Sequence, residues 1–166
     1  MSSNLFIAET MLTLDTEELE FVKTNNAEKN RLTFALMLKF FHMKGRYPTK
    51  KDSIEPMIIY SLANQLRVSP SSFEPIQLEN RTGERFRKKI RGFLGYKLAT
   101  LDDSKKLISW LIEQAKDGPY TMPQYRETAY FFLKEQQVEP FTLKKIDRYI
   151  RSAIHQFEKQ FFANIV

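Results

Sequence analysis

The chain has 166 residues, 42% of them hydrophobic, and a net charge of +6, so it can form one domain or two small ones, each with its own core. It has no cysteine and only two histidines, which excludes disulfides and thiolate chemistry and leaves no expected metal or other cofactor. No apolar run is as long as a membrane span, and the N-terminus lacks the pattern of a secretory signal, so we expect a cytoplasmic protein.

The first predicted helix begins at a capping box, in which Asp15 and Glu18 stand three residues apart. It should end near Asn25, and its acidic first turn is better explained by the helix dipole than by catalysis. The second predicted helix, residues 28–43, is apolar on nearly every side, which is typical of a buried helix. Gly45 should end it.

The stretch 30–51 contains six Lys or Arg residues and no acid. A long acid-free span of this kind favours a polyanionic partner, although simple solubility explains it equally well. The exposed cations that we expect to contact DNA from this region are Arg31, Arg46, Lys50 and Lys51.

A helix over residues 54–66 and the residues that follow it have the layout of a helix-turn-helix. Arg67 occupies the turn position, which is usually glycine, and Ser69 should cap a second, short helix. Many helical pairs that bind no DNA share this layout. If this one binds DNA, the start of its second helix offers N–H groups and hydroxyls to phosphate. The hydroxyls belong to Ser69, Ser71 and Ser72.

Residues 81–96 form the most basic predicted helix. At about 100° per residue, Phe86, Ile90 and Leu94 share one arc, as on a core-facing helix. Gly92 lies on the opposite side, where it would permit a close approach of another backbone. Exposed cations at helical spacing can follow a phosphate backbone, but a solvated basic helix is an equal alternative. The cations are Arg81, Arg85, Arg87, Lys88, Lys89 and Arg91.

Three further helices are predicted over residues 103–116, 121–137 and 142–162. A capping box of Thr100 and Asp103 should open the first, and Thr121 should cap the second. The last has an apolar stripe and a basic face, which is either a second DNA contact or a solvated surface. That face carries Lys144, Arg148 and Arg151. No strand pattern occurs, so the sequence predicts an all-α protein of seven or eight helices.

Positive charge is unevenly distributed along the chain. Residues 1–78 carry nine Lys/Arg and nine Asp/Glu, whereas residues 79–166 carry seventeen and eleven. With a seam near residues 71–80, the sequence predicts two helical DNA-binding units, 1–78 and a more basic 79–166.

Four phrases, in this order and spacing, resemble the N-terminal region of bacterial transposases of the Tn-three family, the replicative transposases that form cointegrates. The resemblance implies an all-helical region that binds double-stranded DNA at the terminal inverted repeats of the element through two successive units. Catalysis in that family belongs to a later RNase-H-like domain that holds divalent metal, so we expect this chain to be non-enzymatic by itself. The phrases are LTLDTEE (12–18), NRLTFALMLKFFHMKGRYP (30–48), LANQLRVSP (62–70) and RTGERFRKKIRGFLGY (81–96).

The resemblance carries over position by position. Family members often have His where Phe86 stands, and this residue should pack inward here. The positions of this chain that match the family's phrases are Asn30, Arg31, Gly45, Arg46, Arg85, Arg87, Ile90, Arg91, Leu94 and Gly95.

The alternative to DNA binding is a helical protein-interaction or oligomerisation module that uses Phe162 and Tyr149. Self-association through the rest of a transposase is also open.

Overall fold

A computed structural model describes residues 11–165, and within them the chain is helical, as predicted, with an isolated bridge between Lys97 and Val138 but no strand. Residues 1–10, the N-terminal stretch in which the sequence shows no secretory-signal pattern, lie outside the described part. Two 3₁₀ turns, Pro70–Ser72 and Pro75–Leu78, lie between α3 and α4. The α-helices that lie wholly within the described residues are α1 (Thr16–Asn25), α2 (Glu28–Lys44), α3 (Pro56–Leu66), α4 (Arg81–Leu94), α5 (Leu101–Ala115), α6 (Met122–Glu135) and α7 (Leu143–Ile165).

The predicted helix ends are confirmed. Asp15 and Glu18 form the capping box of α1, in which each side chain accepts from the other's backbone N–H. Thr100 and Asp103 form a second box at the start of α5. Gly45 follows α2 in the left-handed region at φ 73°, and its N–H donates to the carbonyl of the helix's last turn.

The helix-turn-helix prediction holds for the turn but not for the second helix. Arg67 adopts the left-handed conformation expected of the turn residue, with φ 57° and ψ 45°. The hydroxyl of Ser69 accepts from the Ser71 N–H, as a cap should. However, this cap begins only the three-residue 3₁₀ turn, since Pro75 disfavours a helical conformation just before it. The next α-helix is α4.

The chain forms two compact units, Met1–Leu94 and Gly95–Val166, called here the N-terminal and C-terminal units. The helix α4 packs within the N-terminal unit, whereas the sequence placed it in the second predicted unit, 79–166. The Phe86 ring meets the Phe34 ring edge-on at 5.2 Å, and the Phe93 ring stacks on Phe21 at 4.1 Å. Both contacts join α4 to helices more than fifty residues earlier.

In the N-terminal unit, α2 is the central helix. Residues 32–41 are all buried, as its apolar pattern predicted. They include Lys39, whose ammonium lies 3.1 Å from the Glu18 carboxylate of α1. This lysine was counted in the acid-free stretch, but its burial removes it from any polyanion contact.

In the C-terminal unit, α5, α6 and α7 pack around a common apolar core, to which Leu107, Leu133 and Ile150 contribute one residue each. Thr121 caps α6, as predicted. Trp110 lies at the edge of this core, where its ring stacks on Phe132 at 5.2 Å. Among the helices described, none combines the length and the apolar character that a bilayer span requires.

Candidate nucleic-acid interface

The outer face of α4 is a row of exposed cations. Phe86 is 3% exposed and Ile90 is fully buried, which turns the opposite side of the helix to solvent. That side presents Arg81, Arg85 and Lys88, all exposed, and we call these three residues the basic row. Their spacing of four and three residues places them one above another along the helix.

The basic row is not neutralised by the protein around it. Within residues 11–165, none of its three side chains forms an ion pair with a carboxylate. Nη2 of Arg85 lies 3.3 Å from the Thr82 hydroxyl of the same helix, which is a neutral contact. Three cations without an acidic partner create a positive strip, and such a strip attracts an anionic backbone.

The Arg87 side chain, by contrast, is held by contacts within the protein. Its Nη1 donates to the carbonyl of Leu78 at 3.0 Å, and its guanidinium lies 6.0 Å from the ring centre of Tyr47. The Tyr47 hydroxyl in turn donates to the Arg87 carbonyl at 3.2 Å. Arg91 is half-buried on the same flank of the helix. Arg87 and Arg91, which are four residues apart, therefore form a separate row from Arg81, Arg85 and Lys88.

Two candidates near the start of α2 hold helices together. Nε and Nη2 of Arg31 donate to the carbonyls of Asn26 and Lys23, which satisfies acceptors at the end of α1. The Asn30 side chain accepts from the Gln77 amide at 3.2 Å. Both side chains therefore have structural partners that the sequence did not reveal.

Arg46 forms a bidentate ion pair with Asp52 in the loop that follows α2. Its two Nη atoms lie 2.8 Å and 2.9 Å from the carboxylate oxygens of Asp52, and its guanidinium covers the Phe40 ring at 5.0 Å. The hydrogen bond from Arg46 holds the pKa of Asp52 below its usual value. The positive charge of Arg46 is thus largely balanced within the protein.

The remaining candidates of the N-terminal unit differ in their surroundings; Ser72 is half-buried and the other four are exposed. Lys50 lies 3.9 Å from the Glu79 carboxylate, and Lys51 is exposed. The serine hydroxyls of the predicted cap form hydrogen bonds within the 3₁₀ turn itself. Ser69 Oγ lies 2.7 Å from Ser71 Oγ, and Ser72 Oγ donates to the Ser69 carbonyl at 2.6 Å. They stabilise the 3₁₀ turn.

In the C-terminal unit, α7 carries the second predicted basic face. Lys144, Arg148 and Arg151 are all exposed, and the Arg148 guanidinium lies 5.3 Å from the ring centre of Tyr149. Asp147, which lies between them in the sequence, forms a bidentate ion pair with Arg126 of α6, at 2.8 Å and 3.0 Å.

The two compact units differ less in charge than the two halves predicted from the sequence. Residues 1–94 carry a net charge of +4 and residues 95–166 a net charge of +2.

One feature of the interface was missed by the sequence analysis. Phe21 and Asn25 of α1 lie beside Lys89, Gly92 and Phe93 of α4, and together they line an open groove. The ammonium of Lys89 donates to the Asn25 carbonyl at 2.7 Å. Periodicity within one helix gives no signal for such a pairing, because the two helices are about sixty residues apart.

Clusters of three or more acidic or histidine side chains that could share a metal ion do not occur in the described part of the chain. The surface that stands out in the N-terminal unit is therefore the basic one on α4. It consists of side chains that donate hydrogen bonds and carry positive charge, which is the chemistry that recognises phosphate and guanine edges.

Comparison with known proteins gives this surface a context. The profile of a domain of unknown function, DUF4158, matches residues 8–153. The chain belongs to the DUF4158 family. This DUF4158 chain is also 26% identical over 160 residues to a protein of Enterococcus faecium described as the transposase for transposon Tn1546. The alignment covers 96% of this chain and 16% of that transposase, so the chain is transposase-related and spans a small part of its relative's length.

Proposed function

We propose that this chain binds double-stranded DNA at the terminal inverted repeats of a transposon, as the non-catalytic N-terminal part of a Tn-three-family transposase. The observation that carries the proposal is the basic row of Arg81, Arg85 and Lys88, exposed on α4 and without an acidic partner among the described residues. The relation to a transposase supports it, since such an enzyme must locate the ends of its element.

The chemistry of the basic row suits a helix lying in a major groove. Arg81 and Arg85 each carry a planar guanidinium, which can donate two hydrogen bonds to O6 and N7 of one guanine. Lys88 carries a compact charge suited to a phosphate. Direct contacts to base edges supply sequence selectivity, while phosphate contacts fix the position of the helix on the duplex.

The C-terminal unit would supply a second contact through Lys144, Arg148 and Arg151 of α7. Two linked units that bind neighbouring sites gain affinity because the second binds at a high effective concentration once the first is bound. DNA cleavage and joining, and the divalent metal they require, would belong to the rest of the transposase. Its place of action would be the bacterial cytoplasm, on the nucleoid.

The direct test is fluorescence anisotropy with two labelled duplexes of equal length, one carrying the terminal repeat of the element that encodes the chain and one with shuffled sequence. We expect tighter binding to the repeat, and chemical protection of one patch for each unit. Equal affinity for both duplexes would reject sequence-specific binding. Absence of binding to either would reject DNA binding altogether.

A second candidate function is contact with another protein. Phe161 and Phe162 on the last turns of α7 are 52% and 64% exposed, and exposed apolar side chains of this kind favour contact with another protein. Tyr149, proposed for the same role, instead packs edge-on against Phe141 at 5.0 Å. Sedimentation velocity of the wild type and of a Phe161→Ser, Phe162→Ser variant tests the idea. Self-association lost in the variant, with no DNA bound by either protein, would favour this function over DNA binding.

A further inference from the structure

Gly92 is a glycine that the fold does not require. A Cβ atom built at this position meets no other atom within 4 Å. At Gly83 the same atom would clash with the backbone carbonyl oxygen of Gln77. Gly45 and Gly95 adopt φ 73°, where other residues are strained, and a Cβ at Gly118 would be crowded at 3.0 Å. Gly92 alone among the five glycines has open space and lies inside a helix.

A glycine inside a helix lowers its stability relative to alanine. Since the protein itself gives no reason for Gly92, the reason should lie with something that approaches from outside. The position is exposed and lies on the same side of α4 as Arg85 and Lys88. A missing side chain there allows an external group to reach the helix backbone.

The surroundings of Gly92 define the chemistry of that group. The groove beside it has an apolar floor, formed by the parallel rings of Phe21 and Phe93, which are 4.1 Å apart and inclined by 9°. Three cations rim it: Arg85, Lys88 and Lys89. A ligand that fits must present an anionic edge and an apolar face together.

We propose that this groove receives the sugar–phosphate ridge of one DNA strand, with Gly92 at the point of closest approach. The backbone of a duplex is convex, so it can enter a groove between two helices. Its phosphate oxygens would accept hydrogen bonds from Lys88 and Lys89, and its deoxyribose would pack against the aromatic rings. This inference rests on the proposed function and adds the strand contact that would fix the position of α4.

A contact to sugar and phosphate is the same for every base sequence. The groove should therefore contribute affinity for specific and random DNA alike, while base reading would fall to arginines of the basic row. A side chain added at residue 92 would hold the strand away from Lys88 and Lys89 together.

The test compares Gly92→Ala and Gly92→Gln with the wild type. Alanine and glutamine both favour the helix over glycine, so we expect each variant to melt at or above the wild-type temperature. Affinity should fall slightly with alanine and by about tenfold or more with glutamine, equally on repeat and shuffled duplexes, since several phosphate contacts are lost together. Met57→Gln, at a 63% exposed position of α3, is the matched control and should leave affinity unchanged.

The outcomes separate the two proposals. If wild type binds neither duplex, the proposed function fails. If Arg81→Gln weakens binding but Gly92→Gln does not, the groove contact is wrong and the proposed function stands. A loss confined to the repeat duplex would place bases rather than backbone at Gly92 and would also overturn the inference. A lower melting temperature for Gly92→Ala would contradict the claim that the position is open.

Discussion

Lys39 donates to both carboxylate oxygens of Glu18, at 3.1 Å and 3.2 Å, and the two side chains are only 5% and 7% exposed. The same carboxylate accepts the Asp15 N–H as part of the capping box of α1. One glutamate therefore closes the start of α1 and joins that helix to the buried α2. The pair belongs to the framework on which α4 is held, not to the surface that would meet DNA.

Replacing one member of this pair should destabilise the N-terminal unit strongly. Lys39→Met leaves the Glu18 carboxylate buried without its counter-charge, and such a loss typically costs about 3–5 kcal/mol. Urea unfolding followed by circular dichroism measures it. Lys39→Met combined with Glu18→Gln should recover most of the loss, because no buried charge then remains. A cost below about 1 kcal/mol for the single variant would show that the pair is not buried in solution.

The same substitution at two glycines of α4 should have opposite effects. Gly83→Ala forces a methyl group toward the Gln77 carbonyl, and overpacking of this kind costs about 1–3 kcal/mol. Gly92→Ala places its methyl group in open space and should stabilise the helix by up to about 1 kcal/mol. Thermal unfolding of the two variants, each against wild type, checks the signs. Two shifts of the same sign would contradict the packing described for α4.

Arg85 and Arg87 are two residues apart and should differ in what they affect. Arg87→Ala leaves the Leu78 carbonyl without its donor and should cost about 1–3 kcal/mol of unfolding free energy. Arg85→Ala should leave unfolding unchanged but cost about 1–3 kcal/mol of binding to the repeat, if it reads a base. Urea unfolding and anisotropy on both variants separate these roles. The assignment is wrong if Arg85→Ala destabilises the fold as much as Arg87→Ala does.

Acid should weaken the C-terminal unit through Asp147. The hydrogen bonds from Arg126 hold the pKa of Asp147 below its usual value of 3.8. Because the folded-state pKa is the lower one, the ion pair contributes fully above the usual value, and its contribution is lost as pH falls toward the folded-state pKa. Arg126 is 35% exposed, so solvent limits this contribution to about 1 kcal/mol or less.

Urea unfolding between pH 7 and pH 2 checks this expectation. Asp147→Asn should be less stable than wild type at pH 7, and the gap should close in acid. Glu158→Gln removes an exposed carboxylate from the same helix and should track wild type throughout. A gap between wild type and Asp147→Asn that stays constant down to pH 2 would rule out the ion pair as its cause.

The features that depend on neighbours in sequence were predictable. The capping boxes at Asp15 and Thr100 follow from residues three apart, and the left-handed turn after α2 follows from Gly45. The burial of α2 follows from its apolar surface. The inward direction of Phe86 follows from helical periodicity alone and is confirmed.

The features that depend on distant partners were not predictable. Charge counting placed α4 with the C-terminal half, whereas the contacts of Phe86 and Phe93 place it in the N-terminal unit. Arg31, Arg46 and Arg87 look alike in the sequence, yet each has a partner in the fold. A basic residue becomes a candidate DNA contact only after its acceptors within the protein are known, and that required the structure.

The salt dependence of binding tests the central claim most directly. The equilibrium constant for the terminal-repeat duplex is measured over a range of salt concentrations for wild type and for Arg81→Gln, Arg85→Gln, Lys88→Gln combined. If the basic row meets the duplex, the slope of log affinity against log salt should become less steep in the triple variant, by about 1 if Lys88 alone neutralises a phosphate and by about 3 if both arginines do so as well. An identical slope for the two proteins would contradict the account, because the basic row would then make no contact with DNA.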